Sequence, residues 1–156
     1  GTANYGVAMA FPDALKKSFQ RDVLYPLAGI DPALLDKYEA LLKLIAQLSY
    51  AGNEAARDYI DGKMTKQQAI DWLINVELYP VEKAPQRISF FDVNRSYVIN
   101  YNVGKDLVKD YVEYKTRGAT TQPEKTELGW QVFEQLLSSP RLPSNLKAES
   151  RPPKPK

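Results

Sequence analysis

Arg95, Tyr97, Tyr101 and Asn102 lie close together in the stretch Phe90 to Val108 (FFDVNRSYVINYNVGKDLV), where the chain gathers groups able to recognise an anion. A planar guanidinium takes a carboxylate in bidentate fashion, and a tyrosine hydroxyl donates to a charged oxygen. Such a set could hold a carboxylate or a developing oxyanion. On a helix, an advance of about 100° per residue puts Asn94, Arg95, Tyr97, Tyr101 and Asn102 in one broad sector. Apolar residues occupy the remaining sides, which predicts a helix enclosed by protein. Each polar group on it must then find a partner, because an unpaired buried group costs about 1 to 3 kcal/mol. A competing reading pairs Arg95 with an acid such as Asp92 or Asp106 and leaves the tyrosines as packing groups with wet hydroxyls.

Other groupings offer less. Glu54, Asp58 and Asp61 stand at i, i+4 and i+7, a spacing that could serve acid/base work or a hard cation, but Arg57 and Lys63 nearby favour a solvated face. Asp106 and Asp110 alternate with Lys105 and Lys109 in the same manner. The chain has no histidine and no cysteine. That removes Ser-His-Asp and Cys-His catalysis and any Cys/His zinc site built from this sequence alone, so no catalytic residue and no metal ligand is assigned to it. No glycine-rich phosphate loop is present. The net charge of +2 comes from the C-terminus, where Lys147, Arg151, Lys154 and Lys156 face only Glu149. The body is electrically balanced, which argues against nucleic acid as a partner.

The elements that must position these residues read as helices throughout. With 156 residues, 44% of them hydrophobic, the chain is sized for one domain. No segment alternates apolar and polar residues over a useful length, so the fold class is all-α, a multi-helix bundle. Residues 1–10 read as a packed helix, and Leu15, Phe19 and Val23 mark another that Pro26 ends. Asp31-Pro32 starts a long helix with a wide apolar face from Leu34 to Tyr50, stopped at Asp61-Gly62. Thr65 to Gln68 has the form of a capping box. A central helix of about 81–115 follows, some 45 Å long if unbroken. Thr126 reads as the cap of a last helix. From Pro140 the chain holds five of its eleven prolines, which divides it into a helical domain 1–139 and a Pro-rich, basic, disordered tail 140–156. No stretch has the roughly 20 apolar residues of a membrane span, so a soluble protein is expected, in bacterial cytoplasm or periplasm, between which the absence of cysteine does not choose.

Two stretches resemble a known family. Gly1-Thr2-Ala3-Asn4-Tyr5 is similar to the segment after the third zinc ligand in bacterial zincin-type (gluzincin-like) metallopeptidases of a carboxypeptidase-like group, where a glutamate precedes Gly-x-Ala-x-Tyr on a helix. Lys66 to Leu78 (KQQAIDWLINVEL) and Arg95 to Val108 resemble their C-terminal helices, the latter ending in Tyr-x-x-Gly, here Tyr101 to Gly104. Ser96 to Leu107 is more distantly similar to a helix of angiotensin-converting-enzyme-like dipeptidases. The likeness runs to about Leu142. It implies the C-terminal helical part of a catalytic domain whose zinc, His-Glu-x-x-His helix and glutamate ligand belong to the rest of the parent polypeptide, with a peptide as substrate. The opening Gly1-Thr2-Ala3, without Met, reads as the start of a piece of something longer. Within this piece the resemblance makes Arg95, Tyr97, Tyr101 and Asn102 candidates for peptide binding or oxyanion stabilisation, with Tyr5 near the metal. The alternative is a non-catalytic helical interaction or scaffold domain that holds a peptide or protein partner.

Overall fold

The computed structural model describes residues 1–150. These fold into helices only: α1 (Thr2–Ala10), α2 (Asp13–Phe19), α3 (Tyr25–Leu27), α4 (Leu35–Ile60), α5 (Lys66–Asn75), α6 (Ala84–Asn94), α7 (Val103–Thr116), α8 (Gln122–Ser138) and α9 (Pro143–Glu149). The all-α class read from the sequence is what the chain adopts. No helix among the described residues is long and apolar enough to cross a membrane.

Local chemistry sets several boundaries as read. Asp31 caps the turn Pro32–Leu34 that leads into α4, its side chain accepting from the Ala33 amide at 2.9 Å. Thr65 and Gln68 form the reciprocal capping box of α5. Gly62, at φ 74°, takes the left-handed turn that ends the α4 segment. Two boundaries differ. Pro26 does not end its helix, because the backbone widens to a π-turn over Gln20–Leu24 just before it. A wide turn removes the clash between the proline ring and the preceding turn's carbonyl. The last long helix is capped by Thr121, which accepts from the Glu124 amide, and not by Thr126.

The central helix expected over about 81–115 is three pieces. Helix α6 stops at Asn94, residues Arg95–Tyr101 wind as a 3₁₀ helix, and α7 starts afresh at Val103. The asparagines explain the interruption. Asn94 donates its amide to the Phe90 carbonyl at 3.0 Å and Asn102 accepts from the Val103 amide at 2.7 Å, so side chains take backbone partners that a continuous helix would use itself. Val98 and Ile99, β-branched, add little helical preference between them.

The described residues divide into two compact units, one of Gly1–Pro12 with residues 100–150 and one of Asp13–Ile99. In the Asp13–Ile99 unit, α4, α5 and α6 enclose Ala55, Ala56, Ala69, Leu73, Ala84, Ile88, Phe91 and Val98. In the other, α7, α8 and α9 enclose Val108, Tyr111, Val112, Val132, Phe133, Leu136 and Leu146, with Tyr5 and Met9 of α1 packed against them. The tail is thus ordered further than its prolines imply. Leu146 of α9 is buried, and Glu149 pairs with Arg141 at 2.6 Å and Lys115 at 3.6 Å. The part of the expected disordered tail at 151–156 lies outside the described residues.

Candidate functional site

In the unit built on α1, α7 and α8, the segment Gly1 to Tyr5 meets the segment Tyr101 to Gly104. A Cβ on Gly1 would lie 2.6 Å from the Gly104 carbonyl oxygen, so this backbone approach requires glycine. Asn4 reinforces it by donating its side-chain amide to the Tyr101 carbonyl at 3.3 Å. Gly104 itself closes on Asn100, whose Oδ1 would stand 3.1 Å from a Cβ there. Asn102 is half-buried and serves as the N-cap of α7. Tyr101 is exposed at its side chain while its backbone receives Asn4.

Tyr5 points along the same unit into a groove of about 220 Å³ whose lining includes Met9, Glu113, Thr116, Lys125 and Trp130. Its ring meets Phe133 edge-on at 5.8 Å. Burial pushes the Tyr5 hydroxyl above its ordinary range, and the Glu113 carboxylate adds to that, so Tyr5 stays a neutral donor facing an acid. Thr116 is satisfied internally through the Val112 carbonyl at 2.9 Å. The groove offers a hydroxyl, a carboxylate, an ammonium and an apolar floor.

Arg95 and Tyr97 belong to the Asp13–Ile99 unit. Arg95, Tyr97, Tyr101 and Asn102 therefore do not form the single helix face read from the sequence. The wheel fails because a 3₁₀ helix turns about 120° per residue rather than 100°. Arg95 is exposed, not enclosed, and no ion pair of its guanidinium is found among the described residues. Asp92, one of its expected partners, accepts instead from the Tyr59 hydroxyl at 2.8 Å. Tyr97 is exposed as well.

Sequence reasoning missed Glu113 and Lys125 in the groove and Glu77 and Arg87 between α4, α5 and α6. Glu113 and Lys125 look like any solvated helix residues in the sequence. Glu77 carried one faint signal, a lone acid between the apolar residues Val76 and Leu78-Tyr79. The acids Glu54, Asp58 and Asp61 are tied to cations: Glu54 and Asp58 to Arg57, and Asp58 and Asp61 to Lys63 at 3.6 and 3.5 Å.

No group of three or more Asp, Glu, His or Cys side chains among the described residues could hold a metal ion. The residues of this chain do not fit a zinc site, so no chemical step is derived through one. Comparison with protein-family models, with curated proteins and with solved structures returns no match for this chain.

Proposed function

We propose that this chain is the C-terminal helical portion of a zinc-dependent metallopeptidase, forming one wall of a peptide-binding cleft whose metal and catalytic base lie elsewhere in the parent polypeptide. The observation that supports this is the Gly1–Gly104 approach with its Asn4 to Tyr101 hydrogen bond. Two motifs nearly a hundred residues apart, each similar to a different part of that family, are adjacent in space. On this reading the glutamate ligand would directly precede Gly1. Tyr5, a neutral donor in a groove on the same helix, is the residue of this chain best placed to meet a peptide. Peptide hydrolysis needs groups that this chain lacks, and by itself it contributes binding surface.

The test is the gene upstream of Gly1. A glutamate immediately before Gly1 and a His-Glu-x-x-His further up are expected, and an upstream region without them removes the proposal. Calorimetric zinc titration of the isolated chain should show no stoichiometric submicromolar site, since zinc prefers nitrogen and sulfur ligands that this sequence does not supply.

A specific observation favours the second reading, an interaction or scaffold domain. Leu34, Tyr38, Leu41, Leu42 and Ile45 follow one another at i, i+4, i+7, i+8 and i+11 along the start of the α4 segment, and all are exposed. An apolar stripe of that length marks a protein-facing surface.

A further inference from the structure

Glu77 sits in the connector between α5 and α6, and its carboxyl lies directly on the backbone of α4 at Gly52. A Cβ at Gly52 would fall 2.8 Å from the carboxyl carbon, so the buried glycine in the middle of α4 is what admits the acid. The neighbouring Trp72 anchors to the same turn, donating its indole N–H to the Ala51 carbonyl at 3.0 Å. Glu77 Oε2 is buried without a hydrogen-bond partner, and so is Arg87 Nε, although the Arg87 guanidinium lies over Phe90 and Phe91 at 5.2 and 5.3 Å from the ring centroids. The next residue, Leu78, is exposed and held at φ 57°, a conformation that a leucine adopts only under constraint. The connector is thus pinned at an unsatisfied acid beside a strained residue.

We infer that Glu77 is a proton-operated latch: its protonated carboxyl holds the α5–α6 connector on α4, and ionisation releases the connector. This goes beyond the peptidase reading and does not rest on it. The charged neighbours are few. On α4 the nearest in sequence, Glu54 and Arg57, pair with each other. On α5, Asp71 accepts from Gln67 at 2.8 Å. On the connector, Glu82 and Lys83 are exposed, and α6 contributes Arg87. Burial pushes the Glu77 carboxyl above its ordinary 4.5, and Arg87 only partly draws it back. A carboxyl that binds its proton more tightly when closed than when open stabilises the closed form fully below the ordinary range. That contribution is lost as pH rises through the raised value.

Residue-resolved hydrogen exchange on the whole chain reads the latch, because the Tyr79 amide donates to the Leu73 carbonyl at 2.9 Å across the connector. After correction for intrinsic rates, Tyr79 should lose protection as pH rises above 4.5, by about tenfold for each unit by which the midpoint of the closed form exceeds that of the open form. Phe91 in the core of the same unit should keep its protection. Glu77→Gln should abolish the slope, and Arg87→Gln should extend the loss to higher pH. Tyr79 protection that is flat with pH, or a slope that survives Glu77→Gln, overturns the latch. If Glu77→Gln fails to fold, the ¹³C titration of the Glu77 carboxyl in the unaltered chain decides, and a midpoint at or below 4.5 overturns it equally.

Discussion

Arg95 takes φ 45° and ψ −124° where α6 stops, a region open to glycine and costly for a residue with a Cβ. The amide of Arg95 still bonds to the Phe91 carbonyl, closing α6, while its side chain stands in solvent. Strain at such a position costs about 1 to 3 kcal/mol and is offset by the packing of Val98 beyond it, which is almost fully buried. Arg95→Gly should therefore raise stability by about 1 kcal/mol, the strain relief exceeding the extra chain entropy of glycine. Arg95→Leu should leave stability within about 0.5 kcal/mol, since no buried carboxylate loses its partner. Denaturant melts of both variants check this. A loss of several kcal/mol in Arg95→Leu would mean that the guanidinium has a structural partner after all.

At the scale of elements, α9 differs most from what composition implies. Prolines at 140 and 143 look like a tail, yet Pro143 occupies the first helical position, where its missing N–H costs nothing. The short helix then inserts Leu146 between α7 and α8 side chains, and Glu149 joins Arg141 and Lys115. These ion pairs are partly exposed and add little, whereas the buried leucine carries most of the docking. Leu146→Ala should cost about 2 to 4 kcal/mol. A chain ending at 142 should melt lower than one ending at 150 by a comparable amount. Equal melting temperatures for the 142 and 150 truncations would show that α9 does not contribute to the core.

At the scale of the whole molecule, the uneven burial along α4 matters most. Its second half supplies Gly52, Ala55 and Ala56 to a core, whereas between Leu35 and Gly52 no residue is buried. Beyond Leu35, the apolar side chains Tyr38, Leu41, Leu42, Leu44 and Ile45 of that first half stay 40% or more exposed in the isolated chain, which leaves a surface fit to be covered by other protein. Under the peptidase proposal the cover is the remainder of the parent polypeptide. Leu41→Asp and Ile45→Asp should then change the melting temperature of the isolated chain hardly at all while clearly destabilising the parent. Under the scaffold reading the parent would keep its stability and lose partner binding. Paired melts of the chain and the parent, with and without the substitutions, separate the two.

Features that depend on neighbours within a turn or two are legible in the residues alone. The all-α class, the Asp31 cap, the Thr65–Gln68 box and the Gly62 stop follow from hydrogen bonds and dihedral preferences that close locally. Features that depend on competition between distant partners emerge only in the folded chain. The run from 81 to 115 has helical periodicity, yet the asparagine side chains at 94 and 102 capture backbone groups and Val98 buries itself against α4, α5 and α6, so the helix breaks and the five candidate residues divide between two units. Nor could spacing reveal that Glu77 rests on Gly52 or that Gly1 meets Gly104, because contact between residues far apart in the chain is made by the packing of whole helices, to which local periodicity is indifferent.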